Sequence, residues 1–364
     1  MTSGVVRLYA RGMGYSSHAV VSRGFSVELE RRGLLAGVFP LESLNFDEET
    51  RFPGAGARIG LLTGPLGMLE HLRLNTLHER RIAMVAPNSS KVPGELLQKL
   101  HQVTTEILVP SAWAKQMMAP HYDKPITVVP HGLDFAYAVD ATLAIERQGD
   151  YANGERRVLH FSTSAFERKG TVALLRVWQR LVEQRLIDTA LARLLCVLDG
   201  GARRSLIAQW SGDLPSGVFI VERLDASHKK MAHMLQAAHV VCQPSRGEAF
   251  GMIPMQALAC GVPVVATIES GHSEHLVGQT GPVPGLWPVV CHEDAPIDDG
   301  PGAMAPSYTD EALFEALSAA VVGPSWQEKN QQALANASAY AEQWDWQRVL
   351  APWLGTLARK DQES

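Results

Sequence analysis

The sequence predicts an α/β protein made of two doubly wound parallel-sheet domains, and three observations predict it. Short β-type runs alternate with helical runs along both halves, the pattern of a parallel sheet covered by helices on both faces. At 364 residues the chain is long enough for two domains of ordinary size. Hydrophobic residues at 46% and charged residues at 20% fit a globular protein that buries a sizeable core.

The elements follow in order. Residues 5–10 read as a short strand, and Arg11-Gly12-Met13-Gly14-Tyr15 as the turn after it. A helix from about residue 19 to 32 then stops at Gly33, a residue suited to the left-handed C′ position. Strands are expected at 58–63, 81–86, 106–109 and 126–129, with helices near 68–77, 94–101 and 112–118. The polar stretch 135–155 reads as an interdomain connection. A second α/β set follows, with strands at 157–161, 193–198, 218–221, 239–243 and 262–267 and helices at 172–185 and about 231–238. Residues 278–306, rich in Gly and Pro, read as a long irregular excursion. Helices close the chain from about 310 to 319 and from 326 onward.

Composition narrows the function classes. Net charge is −5, and residues 1–140 carry 14 Lys+Arg against 13 Asp+Glu, so neither half has the excess positive charge of a nonspecific nucleic-acid binder. The first residues lack a basic segment leading into a signal-length apolar run, and no stretch approaches a membrane span. Cys196, Cys242, Cys260 and Cys291 are widely spaced with no CxxC pair, as expected of reduced core thiols in a cytoplasmic protein without integral membrane association. The histidines have no metal spacing and no DxD pair stands at a strand end, so no metal and no cofactor are expected.

The chemistry concentrates in Pro244-Ser245-Arg246-Gly247-Glu248-Ala249-Phe250-Gly251-Met252 and the apolar helix that follows. A helix start after a glycine turn offers unpaired N–H groups and a positive dipole end to an anion. Glu248 stands just before that turn, where it meets what the anion carries. A phosphate with a hydroxyl-rich group attached fits this order. A second segment, residues 162–170, joins a strand to a helix and ends Arg168-Lys169-Gly170, where a compact cation suits a phosphate. The Gly12–Gly14 turn lets a backbone approach a ligand closely but lacks the third glycine of a dinucleotide fingerprint.

These segments resemble the retaining, nucleotide-sugar-dependent glycosyltransferases of the GT-B fold, group-4 type. The likeness covers nearly all of the second half and, more loosely, the first. It implies two Rossmann-like domains facing a cleft: 1–140 on the acceptor side, 141–338 for the nucleotide-sugar donor, and 339–364 as a helix crossing back. In that family the first Glu of an E-x7-E stretch lies beside the donor sugar, the turn amides touch the diphosphate, and the second Glu contacts ribose. Glu248 matches the first, but Gln256 holds the second place and keeps only a neutral acceptor and two donors. The family also has an Arg six residues before Lys169, where this chain has Thr163, so Arg168 is the expected substitute.

The resemblance thus implies a catalytic group of Glu248, Lys169 and Arg168. It implies donor contacts from Gly14, Arg223, Leu224, Phe250, Gly251, Met252 and Gln256, and acceptor-side roles for Tyr15 and His131. The Ser270-Gly271-His272-Ser273-Glu274 loop resembles one whose amides complete the sugar pocket. The expected reaction is metal-free transfer of a sugar from a nucleoside-diphosphate sugar, a co-substrate, to a hydroxyl acceptor. The acceptor is left open among small molecules, glycans and modified DNA. Two alternatives stand beside it: a phage-type enzyme acting on a hydroxymethylated DNA base, and a non-catalytic nucleotide-sugar-binding protein, for which Thr163 and Gln256 are the arguments.

Overall fold

The computed structural model describes residues 5–10, 17–41, 57–64, 69, 78–210, 212–223, 227–297 and 300–360. They form two compact units, one comprising the chain up to Pro87, Val92–Asp134 and the chain from Gln343, the other comprising Asn88–Lys91 and Phe135–Glu342.

The first unit runs β1 (Val6–Ala10), α1 (Ser17–Arg31), β2 (Leu35–Pro40), β3 (Ile59–Leu62), β4 (Arg80–Met84), α2 (Gly94–Val103), β5 (Glu106–Val109), α3 (Ala112–Met118) and β6 (Ile126–Val128). Among the described residues its sheet has six parallel strands in the order β2-β1-β3-β4-β5-β6. The strand at 35–40 was not expected, because Gly37 and Pro40 dilute its β signal. The helix expected at 68–77 falls almost wholly outside the described residues.

Local chemistry explains the boundaries. Gly33 takes φ 67 after α1, the Leu34 amide donates to Leu29 O and the Gly33 amide to Glu30 O, so the last carbonyls of the helix are satisfied. Ser111 Oγ accepts from the Ala114 amide at the start of α3. Tyr9, Phe39, Leu62, Ala83, Leu100 and Ile107 form part of the core beside the sheet.

The second unit runs α4 (Ala141–Ala152), β7 (Arg156–Ser162), α5 (Thr171–Glu183), β8 (Ala192–Asp199), α6 (Ala202–Trp210), β9 (Val218–Arg223), α7 (His228–Ala237), β10 (Val240–Gln243), α8 (Met252–Ala259) and β11 (Val264–Thr267). It continues through α9 (Ser273–Leu276), β12 (Val277–Gly278), β13 (Gly281–Pro282), β14 (Leu286–Val289), β15 (Glu293–Pro296), β16 (Met304–Ser307), α10 (Asp310–Val321) and α11 (Trp326–Gln343). A last helix, α12 (Trp346–Lys360), belongs to the first unit, where Trp353 meets Phe25 of α1 edge-on at 5.6 Å.

Two expectations for this unit need correction. The stretch read as an irregular connection holds α4, whose first amides, of Thr142 and Leu143, donate to Asp140 Oδ1. The described part of the excursion at 278–306 holds strands: β12–β13 and β15–β16 form antiparallel pairs, and β14 extends the main sheet beside β11.

Among the described residues the second sheet also has six parallel strands, ordered β14-β11-β10-β7-β8-β9. The chain leaves β7 toward β8 and β9, then returns to place β10 on the other side of β7. The carboxyl ends of β7 and β10 are therefore neighbours at a reversal of strand order, the usual ligand position in open α/β sheets. Leu174, Val177, Trp178 and Leu181 turn one face of α5 into the core over this sheet. All four cysteines carry free thiols, three of them buried and Cys291 partly so. Among the described residues no helix is long and apolar enough to cross a membrane.

Candidate active site

The loops that leave β7 and β10 meet at the strand-order reversal, and both carry charge there. The first ends at Gly170, whose left-handed φ of 70 caps α5. No other residue fits at this point, since a Cβ would lie 2.2 Å from Pro244 O and 2.4 Å from the Tyr308 hydroxyl. The Tyr308 hydroxyl donates to Pro244 O at 2.7 Å, fixing the start of the second loop. The Arg246 amide donates to Arg168 O at 2.7 Å and joins the two loops.

Lys169, Arg168 and Glu248 are brought together by this joint. Lys169 Nζ lies 2.5 Å from Glu248 Oε1, and Arg168 Nη1 lies 3.8 Å from Oε2 while donating to Gly247 O at 2.8 Å. Glu248 is only 7% exposed. Burial pushes its carboxyl pKa up, but the Lys169 ammonium and Arg168 guanidinium outweigh that and hold it at about 2. The result is a buried carboxylate, ionised at neutral pH, with two cations on the neighbouring loop. Thr163, where the resemblance called for a cation, instead takes up the Ala165 amide in the turn.

The backbone then aims the next turn. Gly251 adopts φ 79 and caps α8, leaving the first amides of that helix without partners from within it. The loop after β11 backs this turn: Gly271 N donates to Glu248 O at 2.7 Å, and Glu248 N donates to Ser270 Oγ at 3.3 Å. Ser270 itself sits at φ 55, a left-handed conformation uncommon for a residue with a side chain. His275 Nε2 donates to Phe250 O at 3.0 Å. Sequence reasoning pointed to the amides of this loop and missed the side chains of Ser270 and His272. The available signal was a polar Ser-Gly-His run directly after a buried strand.

The remaining expected residues are placed as follows. Phe250 is buried at the turn, and Met252 is the first residue of α8. Gln256 is buried on the same helix, and its Oε1 has no hydrogen-bond partner among the described residues. Arg223 ends β9, but its side chain, like Leu224, Gly14 and Tyr15, lies outside the described residues. His131 belongs to the first unit, packed 6.3 Å from the Trp346 ring, and burial lowers its pKa to about 3, with His18 adding to the effect.

The chain is similar to known proteins in sequence over part of its length and in fold over nearly all of it. Residues 155–298 match the family model described as Glycosyl transferases group 1. A D-inositol 3-phosphate glycosyltransferase of Kribbella flavida is 36% identical over 111 residues, covering 29% of this chain and 24% of that protein. A GDP-mannose-dependent alpha-(1-6)-phosphatidylinositol monomannoside mannosyltransferase of Mycolicibacterium smegmatis is 26% identical over 65% of this chain and 63% of its own. The chain therefore spans between a quarter and two-thirds of the length of these curated relatives. In overall fold it is similar to sucrose-phosphate synthase from Thermosynechococcus elongatus, at TM-score 0.67 and 17% identity over 98% of both chains. An Anabaena protein solved in complex with UDP and glucose aligns at TM-score 0.64 and 14% identity, over 98% of this chain and 100% of that one. The chain has the GT-B fold, and over residues 155–298 it matches the group 1 glycosyltransferase model.

Proposed function

We propose that this chain is a retaining glycosyltransferase that moves a sugar from a nucleoside-diphosphate sugar to a hydroxyl acceptor without a metal. One observation carries the reading: a buried Glu248 carboxylate, kept ionised by Lys169 and Arg168, directly precedes a glycine-capped helix start. The acceptor oxygen forms a bond to the anomeric carbon as the bond from that carbon to the donor phosphate oxygen breaks. The nucleoside diphosphate leaves with the electron pair, and the acceptor proton passes to a donor phosphate oxygen. Lys169 has three N–H donors, of which Glu248 takes one, so others serve the phosphates. Together with Arg168 and the amides of Phe250, Gly251 and Met252, it neutralises charge that grows on the leaving group. Glu248 orients sugar hydroxyls beside an oxocarbenium-like centre, and Gln256 meets the ribose. Arg223 and Leu224 border the nucleobase, Gly14 approaches the phosphates, and Tyr15 and His131 serve the acceptor side.

The names of the relatives support a sugar-nucleotide donor, and the free cysteines fit a cytoplasmic setting. The test is a panel of UDP-, GDP- and ADP-sugars with glycan, polyol and hydroxymethylated-DNA acceptors, read by mass spectrometry with and without excess EDTA. Product formation that survives EDTA is expected. Donor binding without consumption would favour a non-catalytic protein, and activity restored only by magnesium or manganese would remove the metal-free mechanism.

A further inference from the structure

A fully buried imidazole lies against the turn that the proposed diphosphate would meet. His272 Nδ1 is 3.1 Å from both the carbonyl oxygen and Oγ1 of Thr267. Thr267 Oγ1 uses its own hydrogen on Ser245 O at 2.5 Å. Both Thr267 atoms are therefore acceptors toward the ring, so Nδ1 carries the proton and Nε2 is a bare lone pair. Nε2 has no hydrogen-bond partner among the described residues. Its neighbour is Gly251: a Cβ built there would stand 2.1 Å from His272 Cδ2 and 2.2 Å from Nε2. The ring thus occupies the space that a side chain at 251 would need, at a glycine already in the left-handed region.

The contacts form a closed chain. Ser245 opens the loop after β10, Thr267 ends β11, and His272 presses on the far end of the same loop at Gly251. We propose that His272 is a positioning residue for the donor, its neutral ring tethered through Thr267 and holding the Gly251 turn so that the first amides of α8 face the diphosphate. The inference rests on the donor reading given above. Neutrality matters because the charged groups facing the ring are Glu248 and Lys169, with His275 beside it at 5.9 Å. Burial lowers the imidazole pKa to about 4, with Glu248 pulling it up and Lys169 down, so the ring stays uncharged near neutral pH.

A two-by-two cycle tests this. His272→Asn keeps a donor near the Nδ1 position and deletes the outer ring edge, while Gly251→Ala drives a methyl group into the ring. Affinity for UDP, GDP and ADP is measured by calorimetry on the parent, both single variants and the double variant, with melting temperatures alongside. Gly251→Ala should weaken binding of the preferred nucleotide at least about tenfold in the parent, and several-fold less in the His272→Asn background. Backbone strain at residue 251 is the same in both backgrounds and cancels. In turnover, His272→Asn should raise donor KM by a larger factor than it lowers kcat. Additive losses, or a fall in kcat with donor KM unchanged, would overturn the role of His272 while leaving the donor reading intact. A parent protein that binds none of the three nucleotides would remove the donor reading and this inference together.

Discussion

His131 and Glu248 are equally buried, each 7% exposed, yet they carry opposite charge states. Each lies a few residues beyond the carboxyl end of a parallel strand, β6 in one unit and β10 in the other. His131 packs against an aromatic ring, and burial together with His18 lowers its pKa to about 3, leaving it neutral. Glu248 suffers the same desolvation, but Lys169 and Arg168 reverse its effect and keep the carboxylate ionised down to about pH 2. Burial disfavours charge, and at Glu248 the adjacent cations outweigh it. At the same exposure, one group is neutral and the other ionised, and the difference lies in the cations beside it.

The largest effect should come from removing the charge while keeping the shape. Glu248→Gln should lower kcat by about 10²–10³-fold, the range for losing one preorganised electrostatic contact to a transition state. Steady-state kinetics at saturating donor reads this directly, and normal turnover would refute the role given to the carboxylate. Next comes Lys169→Ala, which should weaken nucleoside-diphosphate binding by about 1.5–3 kcal/mol, as for a hydrogen bond to a charged group. Calorimetry on folded protein measures it. Unchanged affinity would leave the ion pair a purely structural feature.

The comparison also separates in pH. A histidine with a lowered folded pKa takes up its proton more readily when unfolded, so stability falls as pH drops from about 6.5 toward 3. A carboxylate with a lowered folded pKa contributes stability above about pH 4.5 and loses it as pH falls through about 2. His131→Phe should therefore remove up to about 1.4 kcal/mol per pH unit from the first window and leave the second in place. Urea midpoints at pH 7, 5.5 and 4 test this. His160, His239, His272 and His275 are shifted the same way, so the variant flattens the curve by one increment only.

Periodicity and punctuation made much of the fold legible. β5 and α3 fall on the residues expected of them, and Gly33 ends α1 because only its left-handed turn satisfies the last carbonyls. α4 escaped notice because its buried face is Ala144, Arg147 and Tyr151, and an arginine in that stripe hides the apolar period. Arg147 is buried there because it donates to Gln236 O, Gly261 O and Asn330 Oδ1, which no local pattern announces. The same limit applies to the site. Lys169 and Glu248 are 79 positions apart, and only the strand order β10-β7 makes their loops neighbours. Family resemblance named both residues and pointed to the amides of the Ser270–Glu274 loop, but the side chains of Ser270 and His272 meet Glu248 N and the Gly251 turn, which lie on another loop.

The smallest effect on activity is expected at Gln256, and it sharpens the comparison most finely. Its side chain is 4% exposed, with Oε1 unpartnered among the described residues and no cation paired with it there. Gln256→Glu restores the residue that the resemblance called for, and turnover should stay within about tenfold, since one neutral hydrogen bond contributes about 1 kcal/mol. Stability should behave differently. A buried carboxyl without a counter-charge has a raised pKa, so the variant should match the parent near pH 5 and lose melting temperature as pH rises through that value. Ribose hydroxyls donate to a carboxylate, so bound nucleotide should recover more melting temperature in the variant than in the parent. Thermal shift at pH 5 and 8, with and without nucleotide, measures both. Equal nucleotide-induced shifts in the two proteins would show that residue 256 does not meet the ribose.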